Sequence, residues 1–212
     1  TESSLTFQGV QFDVICHRIG WDFDTAAALI KRYDGVADAI ALAGIRDEIQ
    51  IGRTRASFNY VKKLMINANH SRFFMGDQMR EIFATWTLRK LIKEDVSLVL
   101  EKKILFHVAL ATGKFFGTLN DSRADVRSAD ALFITGIPYL IKGKKGAENF
   151  LKRSRKLLEL GSNHLVHRSL SRKKKLRVKF LRNWIKEHDL FVTYKNLLKE
   201  IGDLDVLKGK TI

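Results

Sequence analysis

One proline, Pro138, stands in a chain of 212 residues, and that scarcity limits what the chain can build. All-β folds turn often and usually place Pro and Gly at those turns. Disordered and collagen-like chains are rich in both residues. With 14 glycines and 45% hydrophobic residues, this sequence has the composition of a globular protein made of long, uninterrupted elements. Its length suffices for one sizeable domain or two small ones with a real core.

The apolar periodicity reads as helical nearly throughout. Val10, Val14, Ile15 and Ile19 share one stripe, and Thr25 to Tyr33 forms a second short helix beyond Gly20-Trp21-Asp22. Val36 to Ala43, closed by Gly44, makes a third. Thr54 to Ala68 aligns Phe58, Val61, Leu64, Met65 and Ala68, and Asp77 to Ile92 aligns Met79, Ile82, Phe83, Trp86 and Leu91. Asp95 to Thr112 is apolar almost all round and meets a stop at Gly113, so it reads as the central buried helix. Ser122-Arg123-Ala124-Asp125 has the form of a capping box opening a helix towards Leu132. Ala147 to Leu160, Ser171 to Lys186 and Phe191 to Ile201 complete the set, with short strands conceivable over Ile49 to Arg53 or Leu132 to Ile134. The expected fold is all-α: a compact multi-helix bundle of one lobe or two. Residues 1–120 would form a near-neutral body and residues 121–212 a helical C-terminal part, continuous unless a boundary falls near 114–125.

Charge is unevenly spread along this chain. Residues 1–140 hold 18 Lys and Arg against 16 Asp and Glu, whereas residues 141–190 hold 16 against 4. Of a net +15, then, +12 sits in under a quarter of the sequence. Such a concentration costs self-repulsion, which an anionic partner relieves.

Two helical stretches carry that charge. In Ser171 to Lys186, Leu176, Phe180, Leu181, Trp184 and Ile185 make an apolar stripe, and Arg172, Lys173, Lys174, Lys175, Arg177, Lys179, Arg182 and Lys186 fill most of the remainder. Ser171 can cap the first amides. Three lysines at a helix N-terminus oppose the macrodipole, a penalty that a docked phosphate removes. In Ala147 to Leu160, Phe150, Leu151, Leu157, Leu158 and Leu160 face inward while Lys152, Arg153, Arg155 and Lys156 face out. Gly143-Lys144-Lys145-Gly146 precedes it as a possible phosphate clamp; GxxxxGK[ST] is absent, so it is no P-loop. One such basic face is commonly just a solvated face, but two in succession without interleaved acids point to a polyanion.

Elsewhere the signals are weaker. Residues 12–33 have helix-turn-helix grammar, with Cys16 in the first helix, Gly20 in the turn, and Lys31 and Arg32 on the second, although Asp22 and Asp24 would repel phosphates. Asn69 to Phe74 reads as a polar loop in which Phe73 or Phe74 stacks on a base and Arg72 meets a phosphate, or in which the aromatics anchor the core. Arg53 and Arg55 would extend a basic groove. His164 and His167 lack further metal ligands, His107 reads as a satisfied core residue, and His17 and His188 stand alone. Capping accounts for Asp125 better than magnesium binding with Asp121 and Asp130. No paired carboxylates, GxSxG, HExxH or Cys/His pair appears, and Cys16 is the single cysteine, so no disulfide or cysteine zinc site can form.

The longest apolar run, Ile104 to Ala111, is far shorter than the ~20 residues that span a bilayer, and nothing reads as a secretion signal. The expectation is a soluble intracellular protein, cytoplasmic or associated with a nucleoid or nucleus. It would be non-enzymatic, without cofactor or metal, and would hold nucleic acid by the phosphate backbone. The contacts would come from Lys144, Lys145, Lys152, Arg153, Arg155, Arg172, Lys173, Lys174, Lys175, Arg177, Lys179 and Arg182, with Arg53, Arg55, Arg72 and Phe73 accessory. RNA packaging of nucleocapsid type and DNA-associated transcription regulation both fit, with self-association favouring the former. The competing reading is an assembly module docking the same basic helices on an acidic protein or an anionic membrane.

Overall fold

A computed structural model describes residues 1–20, 22–160, 174–194, 198–199, 201–202 and 204–211. Among them are ten strands in four sheets alongside the helices, so the fold is mixed α/β and the all-α expectation is overturned. Two compact units divide the chain: residues 1–41 with 62–74, and residues 42–61 with 75–212.

The first unit opens with a hairpin, β1 (Glu2–Phe7) and β2 (Val10–Ile15), in which Phe7 pairs with Val10. Its two-residue turn, Gln8-Gly9, takes φ of 50° and 79°, the left-handed pair that matches hairpin twist. The stripe of Val10, Val14 and Ile15 thus belongs to a strand, where Val10, Phe12 and Val14 alternate with polar residues. Leu5, Phe7, Val10 and Phe12 all stay exposed. Helix α1 (Phe23–Tyr33) is capped by Asp22, whose carboxylate accepts from Thr25 N at 3.0 Å and is held below its usual range by Thr25. At the other end of α1, Asp34 accepts from the amides of Asn69, His70 and Ser71 at 2.8–2.9 Å, which lowers its carboxyl to about 2. Residues 36–43 are not a helix: β3 (Ala39–Leu42) pairs with β6 (Arg72–Met75).

In the second unit, Thr54 to Ala68 does not form one helix. β4 (Glu48–Ile51) and β5 (Thr54–Ser57) make a hairpin, and α2 (Asn59–Met65) follows it into the first unit's residues. Helix α3 (Asp77–Glu94) is where the periodicity places it, with its faces reversed. Thr85 and Leu88 are buried, while Met79, Ile82, Phe83, Trp86 and Leu91 are exposed. Asp95 to Thr112 is not a helix, and only its second half, from Ile104 on, is mostly buried. It holds β7 (Lys103–Phe106) between short 3-10 turns, and Gly113 begins α4 (Gly113–Asp121) instead of ending an element. A Cβ at Gly113 would collide with the carbonyl oxygen of Gln50, so only glycine lets α4 start against β4. The Ser122–Asp125 segment leads into a strand, β8 (Asp125–Ser128), and α5 (Asp130–Ile134) takes residues considered for a strand. Beyond it run β9 (Ile141–Lys142), α6 (Gly143–Leu160), α7 (Lys174–Lys186) and β10 (Leu190–Val192). Phe191 thus lies in a strand and opens no helix.

The main sheet has the order β10-β7-β8-β9, with the first three strands parallel and β9 antiparallel to β8. Ile104 to Phe106 of β7 and all of β10 are apolar on both faces, as in a covered parallel sheet, whereas β8 and β9 carry Asp125, Arg127 and Lys142. Ile104, Phe106, Leu190 and Val192 face a core shared with the buried Phe116 and Leu119 of α4, Ala147 and Leu151 of α6, and Ile49, Ile51 and Ala56 of the β4–β5 hairpin. Leu105 and Phe191 face the opposite core, with Leu181 and Ile185 of α7. Helices α6 and α7 therefore cover opposite faces of one sheet. Among the described residues, no helix is long and apolar enough to cross a membrane.

Candidate nucleic-acid interface

On α7, the buried positions are Arg177, Leu181 and Ile185, spaced i, i+4 and i+8 on the side that meets the sheet. Arg177 is therefore not an outward cation. Its guanidinium lies over the Phe133 ring, 5.4 Å from the centroid. Arg182 is half-buried and donates through Nε and Nη2 to the Ile201 carbonyl at 3.2 and 2.7 Å. Both arginines read from the sequence as phosphate contacts are thus committed to the protein's own structure. The signal for Arg177 was present: it stands four residues before Leu181, one helical turn up the inward stripe. Leu176, assigned to that stripe, is 51% exposed.

The outer side of α7 fits the cationic expectation better. Lys175, Lys179, Arg182 and Lys186, with Val178 and Asn183, line a cleft of about 780 Å³ whose other wall includes Asp205 and Val206. Lys175, Lys179 and Lys186 are exposed, and Asp205 is the one carboxylate among the described lining residues. Arg172 and Lys173 lie outside the described residues, as do His164, His167 and the side chain of Lys174.

On α6, Ala147, Leu151 and Ser154 are buried against the sheet, and Lys145, Lys152, Arg153, Arg155 and Lys156 are exposed. At 100° per residue, Lys145, Lys152 and Lys156 fall on one ridge pointing away from the sheet. Leu157 is 51% exposed and is no core residue. Glu148 accepts from Arg53 N at 2.8 Å and Thr54 Oγ1 at 3.2 Å, and so holds the β4–β5 turn against the helix. That contact brings Arg53 and Arg55, both exposed, to the flank of α6. Arg155 leans the same way and donates to Glu159 at 2.8 Å. The glycine clamp is partly closed: the Lys144 amide, second in the helix, already donates to Asn120 Oδ1 at 2.9 Å, and Lys144 is half-buried. Arg72 and Phe73 belong to β6, in the first unit. The helix-turn-helix reading fails there, since residues 10–15 are a strand.

Sequence reasoning did not foresee the polar seam at the carboxyl ends of the parallel strands. His107, directly after β7, is fully buried and shares a 2.9 Å hydrogen bond between Nδ1 and Thr193 Oγ1, directly after β10. Burial, then the charge of Arg177, lowers its imidazole to about 3, so it is neutral near pH 7. Asp130, also fully buried, accepts from the amides of Ala109 at 2.8 Å and Leu110 at 3.1 Å. Burial raises its carboxyl to about 6 against the pull of those donors. These groups lock the loops that leave β7 and β8. Asp125 pairs with Arg127 at 3.0 Å, His17 meets Tyr33 Oη at 3.2 Å, and His188 donates to the Trp184 carbonyl at 2.6 Å. Among the described residues, no group of three His, Cys, Asp or Glu is placed to hold a metal ion.

Comparison with known proteins divides the chain close to its N-terminal third. Residues 1–73 match the family described as Domain of unknown function (DUF8753), and residues 78–212 match Domain of unknown function (DUF8754). Neither the curated proteins nor the solved structures gave a match.

Proposed function

The chain belongs to the family described as Domain of unknown function (DUF8754), a description that carries no activity, and we propose that it binds nucleic acid by the phosphate backbone. The observation that carries this reading is the α7 cleft: three exposed lysines within twelve residues, beside the inward-tied Arg182 and facing one carboxylate. Lys and Arg bind phosphate chains largely by releasing condensed counterions, which needs exposed, closely spaced cations and little geometric precision. Lys175, Lys179 and Lys186 recur at i, i+4 and i+11, a row of roughly 16 Å at 1.5 Å per residue, about the reach of two to three successive phosphates. Asn183 adds a neutral hydrogen-bonding group between them.

Fluorescence anisotropy with a single-stranded RNA and a duplex DNA, each titrated at several salt concentrations, tests the reading. Three lysine contacts give a slope of log K against log salt of about −3 on duplex and about −2 on a single strand. The triple reversal Lys175→Glu, Lys179→Glu, Lys186→Glu weakens binding and flattens the slope, with the circular dichroism spectrum unchanged. Absence of binding to either nucleic acid below ~10 μM at low salt, where non-specific contacts alone reach that range, overturns it.

A further inference from the structure

We infer that the protein holds two separate nucleic-acid segments at once, one on each face of its main sheet, and so bridges them. This rests on the reading above and extends it from one binding face to two. The two lysine ridges are built alike. On α6, Lys145, Lys152 and Lys156 are exposed at i, i+7 and i+11; on α7, Lys175, Lys179 and Lys186 are exposed at i, i+4 and i+11. Each helix turns its opposite side to the sheet, α6 through Ala147 and Leu151 and α7 through Leu181 and Ile185, and those residues enter different cores. The ridges therefore point away from each other, with a helix, a sheet and a second helix between them.

Magnitudes decide whether one nucleic acid could serve both. Helices are about 10–12 Å across with side chains, so the outer surfaces of the three layers stand roughly 25–30 Å apart. That is about three Debye lengths at 0.1–0.15 M salt, so neither ridge feels the other's ligand. Duplex DNA has a persistence length of about 150 bp and does not fold around so thin a body. A short duplex on α7 thus leaves the α6 ridge free for another, which meets it there flanked by Arg53 and Arg55. The consequence is a 2:1 complex and a cross-link between duplexes.

Two batches of one 16-bp duplex, one labelled with a donor and one with an acceptor dye, are mixed with the full chain at about 0.1 M salt, where the ridges are screened from each other. Energy transfer that rises, then falls as excess protein separates the duplexes, is the expected result. Reversing either ridge (Lys145→Glu, Lys152→Glu, Lys156→Glu on α6, or the α7 triple above) should abolish transfer yet retain binding at 1:1 by anisotropy. Reversing both should abolish binding. Binding without transfer in the unaltered protein overturns the bridge and leaves the single-face reading standing. Transfer that survives the α6 reversal also overturns it, since the second duplex would then come from a second copy of the chain. No anisotropy change in any sample removes the underlying reading and the bridge with it.

Discussion

Helices α6 and α7 are both basic and amphipathic, yet they use their cations differently. Helix α6 keeps its four basic residues from Lys152 to Lys156 exposed and turns Ala147, Leu151 and Ser154 inward. Helix α7 turns an arginine inward, over Phe133, and ties a second to the Ile201 carbonyl. A stretch of charge in a sequence is therefore not the same as a charged surface. Lysine, whose compact charge needs water, stays on the outer ridge of both helices, while arginine, planar and more weakly hydrated, is the one drawn into packing.

The largest effect that would break this contrast comes from Arg177. Arg177→Ala removes a buried guanidinium and its cover over Phe133, and is expected to cost about 2–4 kcal/mol in urea unfolding. Equal tolerance of Arg177→Ala and Lys152→Ala would show that the two helices do not differ. The pH dependence of the α7 side comes next. His107, lowered to about 3 in the fold from an ordinary 6.5, gives stability that is present above 6.5 and lost as pH falls towards 3. Asp130, raised from 3.8 to about 6, works in the other direction, and its contribution is lost as pH rises from 3.8 to 6. Between about 4 and 6 the two slopes cancel. Asp130→Asn should therefore expose a loss approaching 1.4 kcal/mol per pH unit on acidification, and His107→Asn a gain of the opposite sign, both measured by denaturation midpoints. Like slopes in the two variants would remove the assignment. Smaller still, Arg182→Met gives up two hydrogen bonds to Ile201 and should cost about 1–2 kcal/mol. On α6, Lys152→Ala and Lys156→Ala should each stay within about 0.5 kcal/mol, as solvated surface positions do.

Three helices, α1, α6 and α7, were legible because each sustains a 3.6-residue pattern over most of its length; α3 was placed by a stripe that the fold leaves exposed. The strands were not, for reasons local to each. Val10, Val14 and Ile15 fit a helix stripe, and the same segment alternates at Val10, Phe12 and Val14; six residues cannot separate the two periods. Ile104 to Phe106 is apolar at every position because a parallel strand is covered on both faces, and such a run has no period to read. The faces of α3 were inverted because Met79, Ile82, Phe83 and Trp86 are its most hydrophobic residues, and the helix docks through Thr85 and Leu88 instead. The lysines of the candidate interface were legible as parts of basic helix faces, although Lys156 and Lys186 were not among the expected phosphate contacts. Their division between two faces was not, because it depends on a sheet whose strands the sequence conceals.

That sheet also sets an order of events during synthesis. β7 lies between β8, which begins at Asp125, and β10, which ends at Val192. Its pairing with β8 is available soon after both are made, but its other edge waits more than eighty residues for Leu190, Phe191 and Val192. Until they arrive, Ile104 to Phe106 presents unpaired amides and carbonyls with apolar side chains on either side, the kind of edge that recruits strands from other chains. A chain stalled or cleaved before residue 190 would thus be left with that edge open to pairing with other chains. The emergence of the C-terminal segment is the step that closes this protein against itself.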